Sequence, residues 1–164
     1  MANGILTQER LKELLHYDPE TGIFTRLENS SRSHKNKGCA AGYLQNGYHK
    51  INIFGKLYRA HRLAWLYING SNPIGEIDHI DGNRINNSFS NLRDVSHSVN
   101  MQNQRHARSN NSMSVLGIRK SGDKFAARIG FNGKRFHLGI FETKEAAHLA
   151  YLNAKRTMHT GNTN

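Results

Sequence analysis

The run Glu76–Met101, EIDHIDGNRINNSFSNLRDVSHSVNM, constrains this chain more than any other stretch. Glu76-Ile77-Asp78-His79-Ile80 alternates apolar and polar side chains, the period of a short strand. Asp81-Gly82-Asn83 is turn chemistry, and polar residues continue to Asn91. Leu92-Arg93-Asp94-Val95 predicts a second strand. Ser96 is an N-cap, so a helix of about ten residues is expected after it. With 37% apolar residues and a mean hydropathy of -0.69, the chain does not furnish one large core, and small modules fit better.

The flanks have their own patterns. Leu6–Leu15 predicts an amphipathic helix capped by Thr7, followed by a turn over Tyr17-Asp-Pro-Glu-Thr-Gly22 and a short strand at Ile23–Thr25. Ser30–Lys37 is a polar, basic loop. Residues 42–62 predict a hairpin that turns at Gly55-Lys56. His61–Ile68 predicts a helix closed by Asn69-Gly70, with Trp65 in the core. Residues 101–113 have linker composition. Beyond them, strands are expected at Val115–Arg119, Lys124–Gly130 and Lys134–Gly139, the last two joined by an Asn132-Gly133 turn. A helix is expected from Thr143 to about Met158. These elements divide the chain into residues 1–70, 71–108 and 109–164.

The net charge is +11. Residues 1–70 carry ten Lys and Arg against five Asp and Glu, residues 71–108 four of each, and residues 109–164 nine against three. A neutral centre between basic flanks points to a polyanion, nucleic acid before membrane. Lys and Arg on the flanks can neutralise phosphates, while the centre keeps its carboxylates. A single cysteine, Cys39, excludes an intrachain disulfide and any Cys-based zinc site, and is expected to be at least partly buried. The amino terminus lacks the pattern of a signal peptide, and no apolar run reaches a membrane span, so a cytoplasmic protein is expected.

Phosphodiester hydrolysis needs a base for water, neutralisation of the transition-state charge and stabilisation of the leaving oxygen. His79 can accept a proton near neutral pH. Asp78 and the Asn100 carboxamide are hard oxygen donors of the kind that suit Mg²⁺ or Mn²⁺. Asn91 follows His79 by twelve residues and Asn100 follows Asn91 by nine. Each of these residues alone would be an ordinary exposed polar group or part of a turn. Their joint spacing makes them candidates for one site, with the helix that follows Ser96 carrying Asn100 towards the strands of Asp78 and His79.

The set Asp78-His79-Ile-Asp-Gly-Asn-Arg84, Asn91-Leu-Arg93 and Asn100 resembles the HNH endonuclease motif, and most of all the phage-intron homing endonucleases in which asparagine replaces the last histidine. The resemblance implies a ββα-metal fold. His79 is then the general base, Asp78 and Asn100 hold one Mg²⁺ or Mn²⁺ per active site, and Asn91 orients or supports the histidine. The Tyr17–Phe24 and His61–Trp65 runs resemble the NUMOD-like region seen beside such cores. Gly117-Ile-Arg119, Phe125-Ala-Ala127, Leu138–Phe141 and Glu145–Tyr151 resemble an AP2 DNA-binding domain, although Phe125, Arg128 and His137 depart from the plant form.

The expected architecture is therefore α+β: a ββα-metal core, a small N-terminal α+β region, and a C-terminal three-stranded antiparallel sheet with a helix. Double-stranded DNA is the expected partner. Arg93, Arg105, Arg108, Arg119, Lys120, Lys124, Arg128, Lys134 and Arg135 are its candidate contacts. The protein would act as a monomer or a dimer. A DNA-binding regulator that keeps the fold without cleavage, and an RNA-binding module, are the alternatives.

Overall fold

A computed structural model describes residues 5–29, 35–104, 107, 111–159 and 161. The chain divides into two compact units, Met1–Val95 and Ser96–Asn164. Each has mixed helix and strand content. The division falls between the second strand of the central stretch and the helix that follows it.

In the first unit, α1 (Gln8–Leu14) starts where the Thr7 side chain accepts from the Arg10 N–H. β1 (Leu15–Tyr17) and β2 (Phe24–Arg26) form an antiparallel pair around the Asp18–Gly22 turn. Asp18 builds that turn: its carboxylate accepts from the Glu20 N–H at 2.9 Å and the Thr21 hydroxyl at 2.7 Å. β3 (Tyr43–Gln45), β4 (Tyr48–Ile53) and β5 (Lys56–Arg59) make a three-stranded antiparallel sheet. The patterning predicted the β4–β5 hairpin and missed β1 and β3, strands of three residues each and too short to show a period. α2 (Ala60–Asn69) ends at Gly70, whose φ of 74° places it in the left-handed cap.

β6 (Glu76–His79) pairs antiparallel with β7 (Leu92–Val95), setting Asp78 opposite Arg93 and His79 opposite Leu92. A 3-10 turn, Phe89–Asn91, leads into β7. One buried cluster runs from Leu11, Leu15 and Tyr17 through Ile51 and Leu63 to Ile77 and Leu92, so the strands of the central stretch share their core with the N-terminal elements. Trp65 is half-buried against that core, tilted over Phe89 at 5.8 Å. Cys39, expected to be at least partly buried, is exposed, on a segment whose backbone pairs with β2.

In the second unit, α3 (His97–Gln102) starts at Ser96, whose hydroxyl accepts from the Val99 N–H. It has six residues, shorter than expected. β8 (Ile118–Ser121), β9 (Lys124–Phe131) and β10 (Lys134–Phe141) form an antiparallel sheet in the order β10-β9-β8. α4 (Lys144–Met158), capped by Thr143, packs Ala147 against Ile118 and Ala127. Gly117 lies under the Tyr151 ring, where an added Cβ would sit 1.9 Å from a ring carbon, and its φ is +76°. Among the described residues, no helix is long and apolar enough to cross a membrane.

Candidate active site

The site in the first unit is built at the end of the β6–β7 ladder. Strand pairing places Asp78 across from Arg93, and Arg93 grips it from one side: Nε and Nη2 donate to Oδ2 at 2.9 and 2.7 Å. The Asp78 side chain is nearly buried, and this charge-assisted pair compensates its desolvation. Arg93, a candidate DNA contact from the sequence, thus has a carboxylate partner inside the protein.

His79 is buried at 5% exposure. Its Nε2–H donates to Asn87 Oδ1 at 3.2 Å. The His61 ring lies edge-on to it, with centroids 5.1 Å apart and planes at 81°. Burial lowers the His79 pKa below its ordinary value, although Asn87, Asp81 and Asp78 pull the other way. The imidazole is therefore neutral near neutral pH, the form able to take up a proton. Burial, reinforced by His79, lowers His61 further, to about 3.

The Asn91 side chain pins the loop between the strands. Its Nδ2 donates to Asp81 Oδ1 and to the Asn86 carbonyl, both at 2.9 Å, and its Oδ1 accepts from the Asp81 N–H at 2.9 Å. Asp81 also accepts from Asn86 Nδ2 at 2.8 Å and from the Asn83 N–H at 2.7 Å. Burial alone would raise the Asp81 carboxyl, but these hydrogen bonds outweigh it and hold the pKa below the ordinary value. The polar loop thus closes on itself through side chains rather than through a strand ladder.

Asn100 lies on α3 of the second unit, where its N–H donates to the Ser96 carbonyl. Among the described residues, no group of three or more His, Cys, Asp or Glu is arranged to hold a metal ion. Asp78 offers a buried carboxylate, a hard oxygen donor of the kind divalent cations take.

Strand alternation sorts the cations of the second unit. The register places Arg119 beside Ala126, Arg128 beside His137, Arg135 beside Gly130 and Lys124 beside Ser121, all on one face. Lys120 pairs with Phe125 and Lys134 with Phe131, which puts these two on the opposite face. Lys124 is paired with Glu142. Arg105 and Arg108 lie outside the described residues.

Residues 58–102 match the HNH endonuclease family. The matched segment runs from β5 through α3 and contains Asp78, His79, Asn91 and Asn100. A stretch of 65 residues is 38% identical to the DNA endonuclease I-HmuI of Bacillus phage SP01. That stretch covers 37% of each protein, so the chain aligns with little more than a third of this curated relative. No solved structure matches.

Three groups at the candidate site escaped the sequence reading: Asn87, which holds the imidazole, and Asp81 and Asn86, which Asn91 ties together. The only sequence signal was the density of asparagine in the loop. Asn83, Asn86, Asn87 and Asn91 look alike there, and nothing local separates the one that meets His79 from those that shape turns.

Proposed function

We propose that this protein is a metal-dependent DNA endonuclease of the homing type, with His79 as general base. The observation that carries the reading is the buried, neutral His79, hydrogen-bonded by Asn87 and next in sequence to the buried carboxylate of Asp78, within a segment that matches the HNH family. With the proton of the neutral ring on Nε2, Nδ1 carries the lone pair that would take the proton from the attacking water. Asp78 and Asn100 would hold one Mg²⁺ or Mn²⁺, which when bound supplies charge neutralisation at the scissile phosphate and leaving oxygen. Asn91 keeps the loop closed around the base. The face of β8–β10 bearing Arg119, Lys124, Arg128 and Arg135, with Arg105 and Arg108, would neutralise DNA phosphates. The AP2-like C-terminal segment and the NUMOD-like N-terminal region belong to this proposal, as does a cytoplasmic site of action.

The test is cleavage of a duplex library of random sequence in Mg²⁺, with and without chelator, by wild-type protein and His79→Ala. Wild type should cut only with metal. His79→Ala should bind DNA as well as wild type and lose about 10²–10⁴ in rate. Cutting by His79→Ala at the wild-type rate would remove the base assignment.

One observation favours a second reading. Arg93 already donates two hydrogen bonds to Oδ2 of Asp78, the carboxylate next in sequence to the proposed base. A DNA-binding regulator that keeps the fold without cleavage would show that pairing permanently. Binding without cutting in Mg²⁺ and in Mn²⁺ would select it.

A further inference from the structure

The Asp18–Gly22 turn lies in the N-terminal region, far in sequence from the HNH residues, and phosphodiester hydrolysis by itself gives it no task. The structure places it directly against the loop that holds His79. The Tyr17 hydroxyl donates to the Asn87 carbonyl at 2.7 Å, a buried bond. The Phe89 N–H donates to the Pro19 carbonyl at 2.8 Å. Gly22, at φ +73°, lies so close that an added Cβ would sit 2.2 Å from the Asn87 carbonyl carbon and 2.4 Å from the Ser88 nitrogen. Tyr17 and the turn together therefore grip Asn87, Ser88 and Phe89 through two hydrogen bonds and one backbone contact that only glycine permits.

Asn87 is 3% exposed, and its two functions diverge. Its backbone carbonyl faces Tyr17, while its side-chain Oδ1 faces His79 Nε2. Tyr17 is itself held at 2% exposure, its ring 4.6 Å from Phe24 and 5.6 Å from Tyr67. Position is thus passed from the aromatic core to Tyr17, to the Asn87 backbone, and to the imidazole.

We infer that Tyr17, through Asn87, is a positioning residue for His79, so that the N-terminal turn completes the nuclease site. This rests on His79 being the general base. A packing role alone would predict a loss of stability. A positioning role predicts a loss in the chemical step, with DNA affinity kept, and a ring that no longer favours one tautomer.

The experiment uses the full chain and one duplex recovered from a random-sequence library by wild-type cleavage in Mg²⁺, with every variant assayed well below its own Tm. Tyr17→Phe keeps the ring and removes only the hydroxyl. Its single-turnover rate at saturating enzyme should fall about ten- to a hundred-fold with Kd unchanged. Asn87→Ala should fall as far, the double variant no further than Asn87→Ala alone, and Asn87→Asp, which keeps an acceptor oxygen, should recover part of the rate. Independently of activity, the ring ¹⁵N shifts of His79 should report the Nε2–H tautomer in wild type and a mixture in Tyr17→Phe and Asn87→Ala. A wild-type rate and wild-type His79 ring shifts in Tyr17→Phe overturn the inference, as do losses that add in the double variant. If Tyr17→Phe cuts normally while His79→Ala is inactive, only the positioning role fails. If His79→Ala cuts normally, the base assignment fails and the ring shifts alone decide whether Tyr17 orders His79.

Discussion

At the scale of single residues, this site combines burial with compensation. Asp78 is nearly buried and would be costly alone, but two guanidinium hydrogen bonds hold its Oδ2. Asp78→Ala should raise the Mg²⁺ concentration for half-maximal cleavage about ten- to a hundred-fold or abolish cutting. A metal titration checks it, and an unshifted midpoint would remove Asp78 from the ligand set. His61 makes a different prediction, about stability. Burial drops its pKa from 6.5 in an ordinary setting to about 3 in the fold. Between those values the unfolded chain binds a proton that the folded chain refuses, so acid favours unfolding. The contribution of His61 is complete above pH 6.5 and is lost as pH falls towards about 3. Urea melts across that window should show the decline in wild type and a flatter profile in His61→Gln; parallel profiles would contradict the assignment.

At the scale of elements, the loop between β6 and β7 is ordered without strand or helix over most of its length. Asn91 is its keystone, satisfying Asp81 and Asn86 with three hydrogen bonds. Asn91→Ala leaves the Asn86 carbonyl and the Asp81 N–H without that partner. The expected cost is about 0.5–1.5 kcal/mol for each of these part-buried hydrogen bonds. Urea denaturation reads the cost, and a variant as stable as wild type would mean that water replaces the amide. Much of this element was legible beforehand, because strand alternation and the turn Asp81-Gly82 are local signals. The role of Asn91 was not, because a carboxamide shows donors and acceptors without showing where they go.

At the scale of the whole molecule, positive charge is concentrated on both flanks, and in the second unit the pleat gathers four cations on one sheet face. Replacing Arg119, Lys124, Arg128 and Arg135 with Gln should weaken binding to any duplex. The slope of log affinity against log salt should shrink by about 0.9 for each phosphate that is no longer neutralised. Lys124 should contribute least, since Glu142 already pairs with it. The measurement is affinity for one duplex at several salt concentrations. An unchanged slope would show that this face does not meet phosphates. The rate at saturating enzyme should hold, since none of the four replaced residues is among Asp78, His79, Asn91 and Asn100.

The sequence by itself determined the features that close within a few residues. The caps at Thr7, Ser96 and Thr143, the left-handed end at Gly70, the Asn132-Gly133 turn and the two strands of the central stretch all follow from local hydrogen-bond geometry and side-chain period. The spacing of Asp78, His79, Asn91 and Asn100 is likewise a property of the chain. Tertiary structure alone decided which groups meet. Tyr17 reaches Asn87 across 70 residues, His61 brings its ring to His79 from α2, and Asn87 rather than its neighbours faces the imidazole. Four asparagines in one loop offer the same donors and acceptors, so sequence cannot rank them. Packing the N-terminal turn and α2 against the β6–β7 unit selects one arrangement, because only there are the buried polar groups satisfied together.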